Sequence, residues 1–72
     1  MENSTILLME SIRIPGKKPA VVTLEMSICN YYVNLYYEDN RNPVFSRKCG
    51  SYDNALNNMV IAKNKLERIE NV

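Results

Sequence analysis

Histidine and tryptophan are absent from the chain, and glycine and cysteine occur twice each. The lack of histidine removes the commonest general base and zinc ligand, and it excludes Ser-His and Cys-His nucleophile pairs. Gly16 and Gly50 stand far apart, so no glycine-rich phosphate-binding loop can form. Glu38 and Asp39 are adjacent, but neighbouring acids on a loop are ordinarily solvated charges. We therefore expect a protein that is not an enzyme and that carries no metal or other cofactor.

Long apolar runs and a cysteine framework are also missing. Ile6–Met9 is an apolar run of four residues, whereas a membrane helix needs about 20 and a signal-peptide core at least about 7. Residues 1–5 contain no Lys or Arg, so the start of the chain does not resemble a targeting signal. Cys29 and Cys49 lack CxxC spacing, which predicts two reduced thiols. We expect a cytoplasmic protein with no membrane partner.

The composition is that of an ordinary globular chain. Hydrophobic residues make up 46% and charged residues 24% of 72 residues, so residues 1–72 should form a single small domain. The formal net charge is +1, whereas nucleic acid and anionic membranes select for a large positive excess. A protein is therefore the expected partner.

The clearest pattern lies between Val21 and Glu38. If Cys29-Asn30 forms a two-residue hairpin loop, Val22 lies opposite Tyr37, and every residue on one face is apolar or aromatic. That face collects Val22, Leu24, Met26, Ile28, Tyr31, Val33, Leu35 and Tyr37. The other face collects Val21, Thr23, Glu25, Ser27, Tyr32, Asn34, Tyr36 and Glu38.

The segment Ile6–Ile14 alternates less regularly, and we interpret it as a strand that the Pro15–Pro19 loop joins to the hairpin. Placing Ile14 opposite Ala20 directs four apolar residues to the core face, together with Glu10, whose inward charge suits an edge strand. Those four are Ile6, Leu8, Ile12 and Ile14. A helix over Ser4–Ser11, capped by Ser4, is the alternative.

After a second loop, Glu38–Pro43, the segment Val44–Lys48 predicts a short fourth strand. The sequence leaves two alternatives for the residues that face the core, either Val44 with Ser46 or Phe45 with Arg47, although Phe45 is the better core residue. Ser51 is placed to cap a helix that begins near Tyr52, with Asp53 in its first turn. Apolar residues at helical spacing continue to the end of the chain: Tyr52, Ala55, Leu56, Met59, Val60, Ala62, Leu66 and Ile69. The fold class is α+β, an antiparallel sheet of four sequential strands with one C-terminal helix on one face.

The sheet face that the helix leaves open carries large side chains. The expected registers align Leu7 with Ser27 and Tyr32, Met9 with Glu25 and Asn34, and Ser11 with Thr23 and Tyr36. Tyrosine, leucine and methionine on a solvent-facing surface resemble the composition of protein interfaces, although scattered apolar surface residues are also ordinary. We predict a contact surface for a protein partner or a second copy of the chain, formed by Leu7, Met9, Tyr32 and Tyr36.

The basic residues support an alternative function, RNA or DNA binding. They fall on the first loop, at the end of the fourth strand and along the helix, as Lys17, Lys18, Arg47, Lys48, Lys63, Lys65 and Arg68. A double-stranded-RNA-binding domain also has strands followed by a helix and uses a basic loop. Its phosphate-binding helix start would here read Ser51-Tyr52-Asp53-Asn54, with an acid in place of lysines. Nucleic acid is therefore the second choice of partner.

Two segments resemble the N-terminal domain of HicB-type antitoxins, which has a strand with Gly-Tyr-Tyr-Val and a helix that opens Gly-x-Thr-x-Glu-Glu-Ala-Leu. This chain has Asn30-Tyr31-Tyr32-Val33 and Gly50-Ser51-Tyr52-Asp53-Asn54-Ala55-Leu56, and the similarity covers residues 21–69. It departs from the pattern because both helix-opening glutamates are replaced and an extra first strand is present. The resemblance implies a protein that neutralises another protein by docking against it. We expect a small inhibitor that occludes a protein partner, either antitoxin-like or an anti-CRISPR-type inhibitor of host defence from a phage or mobile element.

Overall fold

The computed structural model describes residues 4–40 and 42–70, without the side chains of residues 69 and 70. Four strands precede one helix: β1 (Thr5–Ile12), β2 (Ala20–Met26), β3 (Tyr31–Tyr37), β4 (Phe45–Cys49) and α1 (Tyr52–Glu70). The strands form one antiparallel sheet in the order β1-β2-β3-β4. The α+β architecture predicted from the sequence is confirmed. The first segment is a strand, so the alternative helix over Ser4–Ser11 is wrong.

The β2–β3 hairpin has the predicted faces but a register that differs by two residues. Val22 lies opposite Leu35, not Tyr37, because the connection is a four-residue loop, Ser27–Asn30, rather than Cys29-Asn30 alone. The Ser27 N–H donates to the Asn30 carbonyl at 2.9 Å and closes the loop. Ile28 was predicted on the core face, and it is instead a loop residue with 93% of its surface exposed. The faces survive because side chains alternate with a period of two.

The β1–β2 connection is a turn at Pro15-Gly16. The Lys17 N–H donates to the Ile14 carbonyl at 2.9 Å, and Gly16 has a φ of +80°, which a type II turn requires at its third position. Ile14 therefore belongs to the turn, and Ile12 rather than Ile14 lies opposite Ala20. This is a second register difference of two residues.

A β-bulge interrupts β1 at Leu7. Leu8 pairs with Leu24, whereas Ile6 pairs with Glu25 and Thr5 with Met26. The extra residue reverses the alternation on its N-terminal side. Ile6, which was predicted to face the core, therefore lies on the same side of the sheet as Glu25, opposite the helix. We call that side the open face.

The fourth strand begins one residue later than predicted, at Phe45. Phe45, Arg47 and Cys49 pair with Leu35, Val33 and Tyr31, which places them on the helix side. This decides the open alternative in favour of Phe45 with Arg47. Cys49, the last residue of β4, lies opposite Tyr31 and is fully buried.

Helix α1 begins where predicted. The Asn54 N–H donates to Ser51 Oγ at 3.2 Å, so Ser51 is the N-cap. The helix packs over β3, with β2 and β4 on either side. The core between helix and sheet consists of Ala20, Val22, Leu24, Val33, Leu35, Cys49, Ala55, Met59, Ala62 and Leu66. Four predicted helix residues are thus buried, whereas Tyr52 and Val60 are 40% and 54% exposed, and Ile69 lies outside the described side chains.

Candidate functional site

Three rows of side chains cross the open face. Two of them keep the predicted alignment of β1 with β3, whereas the β2 residue of every row lies two positions from the predicted one. Met9 lies opposite Thr23, which lies opposite Asn34, and Ser11 is connected through Val21 to Tyr36. Each register differs by two residues from the predicted one, and the two differences cancel between β1 and β3. Met9 therefore still aligns with Asn34, and Ser11 with Tyr36. The prediction that Leu7 aligns with Tyr32 is wrong. Because of the bulge, Ile6 takes that position in a row that continues through Glu25 and Tyr32 to Lys48.

Strand β1 carries the largest exposed apolar surface of the sheet. It is an edge strand, and its four consecutive apolar side chains are all accessible: Ile6 at 50%, Leu7 at 38%, Leu8 at 37% and Met9 at 62%. Two of them, Ile6 and Met9, belong to the open face, whereas Leu8 lies on the helix side. Exposed, contiguous apolar side chains on an edge strand are typical of interaction surfaces.

Tyr32 and Tyr36 are half-buried on β3, with Asn34 between them. Both tyrosines were predicted to belong to the contact surface, and both lie on the open face. Burial raises the pKa of the Tyr36 phenol above its usual 10.0, and the nearby Glu25 carboxylate raises it further. The phenol therefore stays protonated at neutral pH and is available as a hydrogen-bond donor.

A polar network occupies the centre of the open face. Thr23 Oγ1 and Asn34 Nδ2 donate to Glu25 Oε2 at 2.9 and 3.1 Å, and Ser4 Oγ donates to Glu25 Oε1 at 3.1 Å. Ser46 Oγ donates to Asn34 Oδ1 at 2.6 Å, which extends the network to β4. Side-chain hydrogen bonds thus connect β2, β3 and β4 with the residue that precedes β1 across this face. The sequence placed Thr23, Glu25 and Asn34 on one face, but it did not indicate that they bond to each other.

A groove runs between β1 and α1 on the opposite side. Leu8, Leu56 and Val60 line it, and the Lys63 ammonium pairs with the Glu10 carboxylate at its side. Glu10 does point to the helix side, as predicted, but it is 52% exposed, so its charge is solvated and paired rather than buried. The helix does not extend far enough across the sheet to cover β1, and this leaves the groove open.

The seven basic residues of the alternative nucleic-acid surface do not form one group. Lys63 is paired with Glu10, and Lys18 lies 3.6 Å from Asp39 and 5.9 Å from the Tyr37 ring centre. Lys17 lies on the β1–β2 turn, on the far side of the sheet from β4. Two of the seven basic side chains are therefore paired with acids, and a third, Lys17, lies apart from the remaining four.

The remaining four lie along β4 and the neighbouring side of α1. The Arg47 guanidinium and the Lys65 ammonium are 5.5 and 5.6 Å from the Phe45 ring centre. Arg47 Nη1 also donates to Asn58 Oδ1 at 3.4 Å, and Lys65 and Arg68 line a shallow pocket with Ile61. Lys48 follows on β4 and projects to the open face, opposite Tyr32. We call the side formed by Arg47, Lys48, Lys65 and Arg68 the basic flank.

Asn58 holds part of the basic flank in place. Its side chain is 4% exposed, and Nδ2 donates to the Asn54 carbonyl at 2.8 Å and to Asn54 Oδ1 at 3.0 Å. The amide oxygen is thereby directed towards Arg47. A buried amide with all its bonds made orients its partner with little freedom. No pattern in the sequence distinguished Asn58 from the other helix asparagines.

The described residues contain neither a cluster of metal-binding side chains nor a helix that could cross a membrane. Residues 4–40 and 42–70 contain no group of three side chains of the Cys, Asp or Glu type that could hold a metal ion. Within the same residues, no helix combines the length and the hydropathy needed for a bilayer span. Cys29 is exposed and Cys49 buried, and both are free thiols.

Comparisons of this chain with protein-family models, with curated proteins and with solved structures find no match. The similarity of Asn30–Val33 and Gly50–Leu56 to HicB-type antitoxins stays a prediction from sequence.

Proposed function

We propose that this protein is a small non-enzymatic binding protein that occludes a protein partner with its open face and the adjoining edge of β1. The observation that carries the proposal is the accessible apolar run Ile6–Met9 on an edge strand. The core is already complete on the other side of the sheet, so these side chains are not required for packing under α1. Binding a partner removes their apolar area from water.

The arrangement of polar groups also supports this function. Thr23 and Asn34 both donate to Glu25. Because these hydrogen bonds are kept in a complex, they offset part of the desolvation cost of the three polar groups. Tyr32 and Tyr36 flank this network and offer apolar rings with hydroxyl groups at their tips, a combination enriched in interface residues that dominate affinity. The result is a surface with an apolar edge, aromatic sides and a rigid polar centre.

Inhibition is the form of binding that suits this composition best. The chain has no histidine, and its carboxylates at Glu25, Glu38 and Asp39 are engaged in hydrogen bonds or exposed ion pairs, which leaves few groups for acid-base catalysis. Occlusion requires only area and complementarity. Antitoxins and inhibitors of host defence carried by phages or mobile elements act in this way, and the resemblance to HicB-type antitoxins points in the same direction.

RNA or DNA binding, the alternative, is less well supported. A phosphate backbone is bound by many unpaired cations together. Here Lys18 and Lys63 are already paired with acids, and the net charge is only +1. A protein partner therefore agrees better with the charge distribution.

A matched pair of variants tests the proposal. Met9→Lys adds a charge to the contact surface, and Ile28→Lys adds the same charge at an apolar residue that is 93% exposed in the β2–β3 loop. A partner captured with the wild-type protein from cells that express it should be lost with Met9→Lys and retained with Ile28→Lys. With the purified partner, Tyr32→Ala combined with Tyr36→Ala should weaken binding by at least about 2 kcal/mol while circular dichroism stays native.

Two results would contradict the proposal. One is equal retention of the partner by Met9→Lys and Ile28→Lys, together with unchanged affinity of the folded tyrosine double variant. The other is retention of nucleic acid with an affinity that falls steeply as salt rises, since burial of an apolar surface is much less sensitive to salt.

A further inference from the structure

The two edges of the sheet differ in charge, and the β4 edge belongs to the basic flank. Four of the chain's nine basic residues lie there, which leaves five basic against eight acidic residues in the rest of the chain. None of these four forms an ion pair with a described acid, whereas Arg13, Lys18 and Lys63 each pair with one. Asp53 lies in the first turn of α1, and Glu67 follows Lys63 by one turn on the β1 side of the helix. No acid in the part of the chain that the structure describes therefore compensates the positive charge of the basic flank.

We propose that the basic flank is a second interaction surface, which accepts an acidic, extended segment of a protein as a fifth strand alongside β4. As the last strand in the sheet order, β4 has one side without a neighbouring strand, and backbone groups on that side can pair with an added strand. Arg47 lies on the helix side of β4 and Lys48 on the open face. Carboxylates on either face of an added strand would therefore meet a cation.

The same charges exclude other strands. A second copy that paired through its own β4 would bring another Arg47 and Lys48 to the same edge, and like charges close together across a sheet are destabilising. The β1 edge of a second copy is apolar from Ile6 to Met9 and brings a single acid, Glu10, already paired with Lys63. A short strand that carries lysine is a common means of blocking unwanted edge pairing. On β4, the cations favour an added strand that carries carboxylates.

Phe45 and Asn58 organise the cations for this purpose. The Phe45 ring lies within 5.5 Å of the Arg47 guanidinium and 5.6 Å of the Lys65 ammonium, and the Asn58 amide bonds to Arg47. These contacts restrict both side chains before a partner arrives, so less conformational entropy is lost on binding. Lys48 belongs to both surfaces, whereas Lys65 lies on α1, so a change at Lys65 tests the basic flank without altering the open face.

The test uses a synthetic peptide that alternates glutamate with valine, a second peptide with lysine in place of glutamate, and a single-stranded RNA oligonucleotide. Amide resonances of the wild-type protein are followed during titration with each. The glutamate peptide should shift and protect amides of Phe45–Cys49, whereas the lysine peptide should leave them unchanged. Lys65→Glu should weaken binding of the glutamate peptide by about 10-fold. Lys17→Glu, the same charge change on the β1–β2 turn, should alter it by less than about twofold.

Several outcomes would overturn this inference. One is the absence of peptide binding at about 1 mM, the weak end of specific recognition. A second is an equal effect of Lys17→Glu and Lys65→Glu, which would indicate attraction to overall charge. A third is tighter binding of RNA than of the glutamate peptide without protection of β4 amides, which would assign the basic flank to phosphate. Circular dichroism of both lysine variants confirms that each is folded.

Discussion

Leu35 is fully buried at the centre of the sheet, opposite Val22 on β2 and Phe45 on β4. Leu35→Ala removes roughly three methylene equivalents, worth about 2.4 kcal/mol of transfer free energy at about 0.8 kcal/mol each. The cavity left under α1 adds to this, so we expect a total loss of about 3–4 kcal/mol, within the usual range for such changes. A chain of 72 residues has a free energy of unfolding of about 4–11 kcal/mol. The variant should lose about a quarter or more of its free energy of unfolding.

Leu8→Ala is the matched control. It deletes the same atoms on the same side of the sheet, but from an edge strand where Leu8 is already 37% exposed. Its cost should be below about 1.5 kcal/mol, because part of the side chain is in water in both states and no enclosed cavity forms. The two variants therefore separate burial under the helix from side-chain chemistry.

Urea denaturation followed by far-ultraviolet circular dichroism measures both, since the chain has no tryptophan for fluorescence. With a denaturant slope of about 1 kcal/mol per molar, Leu35→Ala should lower the midpoint by about 3–4 M and Leu8→Ala by about 1.5 M or less. Equal losses in the two variants, or a loss below about 0.5 kcal/mol for Leu35→Ala, would refute the assignment of Leu35 to the centre of the core.

Two further predictions concern titratable groups. Because the folded state raises the pKa of Tyr36, its contribution to stability is complete below about pH 10 and is lost as the pH rises through the folded pKa. The wild-type protein should therefore lose stability more steeply than Tyr36→Phe in alkaline solution, and parallel losses would show that the phenol is not involved. A thiol reagent should modify Cys29 in the native protein but Cys49 only after unfolding, because burial raises the pKa of Cys49 more than Arg47 lowers it. Equal rates would argue against burial of Cys49, and the absence of free thiols after unfolding would contradict the reduced state.

The faces of the sheet were predictable, whereas its registers were not. Alternation of apolar and polar residues assigns Val22 and Leu35 to the core in any register that differs by two. The length of a hairpin loop has no comparable signature when the turn lacks a strong pair such as Asn-Gly. Ile28 continues the apolar alternation of β2 although it lies in the loop, so hydrophobicity alone extended the strand too far.

The residues of the open face were predicted in part for the same reason. Met9, Tyr32 and Tyr36 follow from alternation, and the structure places all three on the open face. The bulge at Leu7 occurs within a run of four apolar residues, where either side chain of a pair could face the core. The presence of Ile6 rather than Leu7 on the open face therefore depends on the backbone geometry of the bulge, which composition does not encode.

The basic flank required tertiary packing. Phe45 and Lys65 are twenty residues apart in sequence, and they meet because α1 returns across β4. Sequence reasoning grouped the cations by their position along the chain, and it could not separate those paired with acids from those that are not. Cys49, a small apolar residue two positions after Arg47, was the available indication that Phe45 and Arg47 face the helix.

Helix α1 does not cover β1, and this indicates where the native state should begin to unfold. In the described sheet β2 is the one neighbouring strand of β1. Outside that ladder, the contacts of β1 and its flank include the Lys63–Glu10 and Ser4–Glu25 bonds at the surface and the packing of Ile12. Segments with few buried contacts open at a lower free energy than the whole domain. Detachment of β1 would leave the rest of the sheet folded and make β2 the new edge strand. Val22 and Leu24 of β2 would then lie at an unpaired edge. Aggregation and proteolysis should therefore start from a three-stranded form, at a rate set by the β1–β2 ladder rather than by the core.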